Sequence, residues 1–181
     1  ESADQLKKFD MQKPISILAL LVLMTISLPG LGKGPHKAVD NRFPQKVSVD
    51  REELISYARS FLGSPYHYAS ASPKKGFDCS GFVNFVFRHF KIALPRSSNE
   101  FKSIGTDLKP EEFKVGDIVV FYGFKNKTKI GHVGIICEAR GMQSKFIHAS
   151  SGVVRGVIVS DLGSGMYTRR FFRCIDVIGR K

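Results

Sequence analysis

The chain has no tryptophan, only three cysteines, and 16 acidic side chains against 28 basic ones. Each shortage excludes something. Without tryptophan, the large aromatic volume rests on fifteen phenylalanines, so phenylalanine must fill the core. Three cysteines cannot build the framework of a disulfide-stapled domain. The fold must therefore rest on a hydrophobic core, and the stretch from Val49 onward is long enough for one. The deficit of acid leaves a formal net charge of +12, nearly all of it after residue 34. Such a surface attracts polyanions. No zinc knuckle and no RNP-like aromatic motif accompanies it, which argues against a nucleic-acid partner. An anionic polymer or lipid is the other candidate, and most of the scattered basic residues read as a solvated face. No apolar run reaches the ~20 residues of a membrane span. Internal repeats and low-complexity tracts are also missing.

The longest apolar run covers residues 15–28, broken by Ser16, Thr25 and Ser27 and preceded by Lys13. It suits the apolar centre of a signal peptide. Residues 1–10 are expected to be an upstream extension before a start at Met11, residues 11–32 the signal peptide, and 33–48 a linker rich in Lys, Pro and Gly. Pro29-Gly30-Leu31-Gly32 offers small residues for cleavage, and no cysteine follows to take a lipid anchor. Residues 49–181 then form a single domain.

Within that domain Asp50 and Glu53 have capping-box spacing. Leu54, Ile55, Ala58, Phe61 and Leu62 form an apolar stripe that Gly63 ends. A second helix starts after Asp78, with Phe82, Val83, Val86, Phe87 and Phe90 on one face, and ends at His89 or Phe90. After Gly105 the texture turns strand-like, over 118–122, 130–137, 145–148, 153–159 and 171–178. Helices first and strands second predict an α+β fold with an antiparallel sheet.

The chemistry centres on Asp78-Cys79-Ser80-Gly81. Asp78 is a good N-cap, which puts Cys79 in the first turn beside unpaired N–H groups and the positive helix end. That position predicts a lowered thiol pKa. A thiolate needs a base, and the base needs an orienting group. Gly131-His132-Val133-Gly134-Ile135 and Phe146-Ile147-His148-Ala149-Ser150 each place one histidine in a short strand-like run. Cys137 and Cys174 lie in other strand-like runs and read as two separate buried thiols, with a disulfide as the alternative if their strands are neighbours.

These stretches, with Gly63-Ser64-Pro65-Tyr66, Leu94-Pro95-Arg96-Ser97-Ser98 and Gly116-Asp117-Ile118-Val119, follow one another as in a known family. The chain resembles the NlpC-type cell-wall cysteine peptidases, from about Arg51 to Arg180. The resemblance implies a papain-like α+β fold, with the nucleophile helix packed on an antiparallel sheet. It implies Cys79 as nucleophile, His132 as base and His148 as orienting residue. It further places Tyr66 opposite the nucleophile, and Asp78 and Ser80 in the pocket for the end of the stem peptide. Residue type alone would make Arg96 a surface residue and Asp78 only a cap. The implied substrate is a peptidoglycan stem peptide, cut between γ-D-glutamyl and a diamino acid. No cofactor or metal, no nucleic acid and no stable membrane anchor is implied. A monomer exported to the periplasm, cell wall or medium is expected, its basic surface meeting anionic wall polymer. The alternatives are a silent wall-binding module of the same fold and an enzyme cutting the cross-link between stems. A lipid-acting relative with permuted motifs ranks last. One departure stands out: where the family shows a tryptophan and two glycines, this chain has Tyr68, Ala69 and Ser70.

Overall fold

The computed structural model describes residues 48–179. The expected signal peptide therefore lies outside the described residues, as does all but the end of the linker. Among the described residues no helix is long and apolar enough to cross a membrane.

Helix α1 (Arg51–Arg59) starts where Asp50 accepts the N–H groups of Glu52 and Glu53 at 2.9 and 3.2 Å. Leu54, Ile55 and Ala58 are buried, and Phe61, just past the helix, packs half-buried against the same core beside Phe77 and Phe85. Leu62 lies beyond the helix and is 47% exposed. The chain turns away because Gly63, at φ 82°, donates its N–H to Val157 O at 2.9 Å, which draws it to the far edge of the sheet. A short hairpin, β1 (Ala71–Ser72) and β2 (Gly76–Phe77), delivers the chain to helix α2 (Cys79–His89), whose bounds agree with the sequence reading.

The remaining elements are two 3-10 helices (Ser98–Ser103 and Pro110–Glu112), β3 (Thr106–Leu108), β4 (Ile118–Tyr122), β5 (Ile130–Glu138), β6 (Lys145–Ser150), β7 (Gly156–Asp161), the single-turn helix α3 (Gly165–Thr168) and β8 (Phe171–Asp176). Six of the strands form one antiparallel sheet in the order β3-β8-β4-β5-β6-β7. The fold is the expected α+β class. The sheet is covered on both faces, which explains the nearly unbroken apolar runs of β4 and β5. Ile118, Val120, Val133, Ile135, Ile147 and Ile175 pack with Leu54, Phe77, Phe82, Val86 and Phe87 of the helical layer. Val119, Phe121, Ile136, Phe146 and Cys174 pack in a second cluster with Phe113, Leu162 and Tyr167.

Strands β5, β6 and β7 run on past expectation, to Glu138, Ser150 and Asp161, while two other strand ends fall short. Strand β7 starts at Gly156, and Val153 and Val154 before it stand in solvent. Strand β8 ends at Asp176, whose carboxylate accepts the N–H groups of Ile178 and Gly179 and turns the chain. Cys137 and Cys174 form no disulfide: β4 separates their strands, and they belong to opposite clusters.

The Gly116-Asp117 motif proves to be a structural pin. The Arg51 guanidinium bonds Asp117 at 2.7 Å, Asp176 at 2.8 Å and Val115 O at 2.9 Å, tying α1 to β4 and β8. Burial pushes the Asp117 carboxyl up even against this contact. Arg51→Ala, which takes the shared cation from two buried carboxylates, is expected to lower unfolding stability by about 3 kcal/mol or more. Urea denaturation measures it, and a loss below about 1 kcal/mol would show that the pin is dispensable.

Candidate active site

Helix α2 begins with Cys79 because Asp78 caps it, its Oδ1 accepting the Gly81 N–H at 2.6 Å. Gly81 is required by close approach: a Cβ there would lie 2.1 Å from Ser70 O. The thiol is partly exposed at the helix start. Main-chain N–H groups of Ser80 and Val133 point at it. Val133 follows His132 on β5, so the sheet brings the histidine strand to the helix start.

His132 Nε2 lies 2.9 Å from His148 Nδ1, the rings at right angles. Gly134, two residues on, lets β6 close over β5, since a Cβ there would strike Phe146 and His148. His148 is fully buried. Its Nε2 lies 2.9 Å from Ser160 Oγ and 3.3 Å from Tyr167 Oη. Phe146 stacks on one face of the ring, with centroids 4.7 Å apart. Both ring nitrogens of His148 are therefore committed, and the ring cannot turn without losing bonds.

The charges differ from the helix-dipole expectation. Burial pushes the Cys79 thiol up, and the neighbouring Asp78 carboxylate adds to this, outweighing the N–H groups of Ser80 and Val133. Burial, followed by the charges of His148 and Arg170, holds His132 well below the ordinary histidine value. Burial also lowers His148, to about 3. A neutral thiol and neutral imidazoles are the resting states these directions describe.

Beside Cys79 opens a cleft of about 510 Å³ lined by Tyr66, Tyr68, Asp78, Ser80, Arg96 and Gly131, among others. Five of the six expected site residues thus gather around two features, the cleft and the His132–His148 pair, and Cys79 touches both neighbourhoods. Tyr66 lines the cleft together with Cys79: burial raises its phenol, and the charges of Cys79 and Asp78 follow as causes. Asp78 is cap and cleft wall at once. Arg96 is no idle surface residue. Its guanidinium grips Asp78 through two bonds of 2.6 and 3.0 Å and reaches Ser80 Oγ at 3.2 Å. The departure at Tyr68 and Ala69 shapes the mouth of the cleft. Tyr68 is 81% exposed there, and Ala69 takes φ 56°, a left-handed conformation that glycine adopts without strain.

Sequence reading misses Ser160, Tyr167 and Arg170. Ser160 becomes legible only with the β6–β7 register, which pairs His148 with Ile158. Tyr167 sits in a single helical turn with no periodicity to mark it. Among the described residues no group of three or more His, Cys, Asp or Glu side chains could hold a metal ion.

The chain is similar to known proteins over most of this domain. It is 34% identical to the probable endopeptidase NlpC of Escherichia coli over 84% of this chain and 95% of that protein. It is also 34% identical to the gamma-DL-glutamyl hydrolase of Bacillus subtilis, over 67% of this chain but only 28% of that longer protein. Among solved structures, an NlpC/P60 family protein from Bacillus cereus superposes with a TM-score of 0.65 at 26% identity, covering 73% of this chain and 41% of that one. Residues 63–176 match the NlpC/P60 family, and the chain belongs to it.

Proposed function

We propose that the protein is a cysteine endopeptidase that hydrolyses peptidoglycan stem peptides outside the cytoplasm, at the bond between γ-D-glutamyl and a diamino acid. The observation that carries this reading is the helix-start Cys79, met by the N–H of Val133, the residue that follows His132, whose Nε2 is tied to His148. With Nε2 occupied, His132 offers Nδ1 to the thiol. For Nδ1 to accept a proton, Nε2 carries the ring hydrogen and donates it to His148 Nδ1. His148 then keeps its own hydrogen on Nε2 and donates to Ser160 Oγ.

The thiol proton passes to His132 Nδ1 as Sγ attacks the γ-carbonyl carbon. The Cys79 N–H at the helix start donates to the developing oxyanion. Collapse of the tetrahedral intermediate breaks the C–N bond, and the leaving amine takes the proton from His132. A thioester remains. Water, deprotonated by His132, attacks it and releases the γ-carboxylate and the thiol. The cleft of Tyr66, Asp78 and Ser80, with Arg96 holding Asp78 in place, accommodates the acyl half of the stem. Incubating purified protein with peptidoglycan and identifying the released muropeptides by mass spectrometry tests this. Fragments ending in γ-D-glutamate are expected. Fragments cut only between stems would point to the cross-link instead, and no release would leave a binding module.

The resting protonation states set the pH profile. Catalysis needs a neutral His132, and its pKa is depressed, so activity falls only as pH drops through a value below the ordinary 6.5. The acid limb of kcat/KM is therefore expected below pH 6.5. A limb at or above that value would show that the group lost on the acid side is not a buried His132 with a depressed pKa.

A further inference from the structure

Arg170 precedes β8 and has no place in the steps above. It grips the end of β4 twice: the Tyr122 N–H donates to Arg170 O at 2.8 Å, and Arg170 Nε–H donates to Tyr122 O at 2.9 Å. Its guanidinium carbon lies 5.8 Å from the ring of Phe124. Tyr122 follows Phe121, the register partner of His132, so the guanidinium is held at the end of the sheet where the imidazole stands. Its charge is felt at His132, His148 and Cys79.

The arginines that build the fold and the cleft each hold a carboxylate: Arg51 with Asp117 and Asp176, Arg96 with Asp78, Arg173 with Asp107. Arg170 does not. Its one side-chain hydrogen bond uses Nε, and among the described residues no acceptor takes its two terminal nitrogens. Residues 162–175, which surround it in sequence, and 122–137, which begin at the Tyr122 it grips, contain no acidic residue, while Lys125, Lys127, Lys129 and Arg169 add positive charge. Burial also pushes the Arg170 pKa down, the mark of a partly desolvated cation. Finally, Arg170 lies outside the cleft assigned to the acyl half.

A half-buried guanidinium with an open planar fork matches a carboxylate. We propose that Arg170 is a specificity-determining residue for the leaving side of the bond, taking a free carboxylate of the expelled diamino acid. This rests on the peptidase reading above. A dicarboxylic diamino acid such as diaminopimelate supplies that group, and the same position as a carboxamide, or lysine in its place, removes it.

The test uses two γ-D-glutamyl-diaminopimelate peptides that differ only in whether the side-chain carboxyl is free or amidated. The parent is expected to prefer the free acid by roughly 10- to 100-fold in kcat/KM, mostly through KM. Arg170→Met should erase the preference by bringing the free acid down toward the carboxamide. Arg170→Lys, a point charge without the fork, should keep part of it. An equal loss on both peptides would show that Arg170 only supports Tyr122 or the catalytic charges, and would overturn the proposal. So would a parent without preference, or a preference intact in Arg170→Met. A parent that cleaves neither peptide overturns the peptidase reading and this inference together.

Discussion

Cys79→Ala is expected to reduce muropeptide release by more than about 10⁴-fold while leaving the fold intact. The expectation joins two separate facts. Chemically, the oxyanion donor and the imidazole remain, but nothing is left to form the thioester. Structurally, the residue opens α2, where alanine is a good helix former, and the Asp78 cap does not use the thiol. Cys79 as a residue is half-buried and the change removes a single atom, so the unfolding free energy should change by less than about 1 kcal/mol. Chromatographic release assays and urea denaturation on the same preparation separate the two. Hydrolysis by the alanine variant at the parent's rate would remove Cys79 from the mechanism and with it the whole triad. A parent as inactive as the variant would favour the silent wall-binding module.

The architecture was legible where periodicity was strong. Helix α2 and strand β4 fall at the expected residues because their apolar faces are complete and their boundaries are marked by Asp78 and by glycine. Elements of two to four residues were not legible, since β1, β2, β3 and α3 are too short to show a period and are held by neighbours. The same limit governed the site. Cys79, His132 and His148 carry local signals: a cap, and glycines that permit close strand packing. Arg96 carries none, and its role exists only because the chain after α2 folds back onto Asp78. Ser160, Tyr167 and Arg170 come from β7, α3 and the approach to β8, which only the sheet order brings around one imidazole pair. The thiol's raised pKa was the instructive departure. A helix start alone lowers it, but burial and the carboxylate of the preceding residue, Asp78, act in the opposite sense and win.

His148 should separate from His132 in a way the geometry makes specific. His132 moves the proton, so His132→Ala is expected to cost nearly as much as losing Cys79. His148 acts on His132 through Nδ1, the ring atom bonded to Cγ. Asparagine places its Oδ1 on the same carbon, so His148→Asn can accept the His132 Nε2–H and should keep measurable activity. Glutamine carries its amide one carbon further out, nearer to Ser160 than to His132, and should keep less. His148→Ala leaves His132 unoriented and should lose roughly 10²-fold or more. A second readout is independent of catalysis. The folded pKa of His148 is about 3 and its ordinary value 6.5, so between those limits the unfolded chain binds a proton that the folded one refuses. Its contribution to stability is therefore complete above pH 6.5 and is lost as pH falls toward 3, by something on the order of 5 kcal/mol. His148→Asn cannot titrate, so its stability should fall less steeply over that window than the parent's. Chemical denaturation at pH 7 and pH 4 measures the slope, and kcat/KM for the four variants measures the rest. Full activity in His148→Ala would make His148 a packed core residue, since burial alone accounts for the acid slope, and would send the search for the orienting group elsewhere.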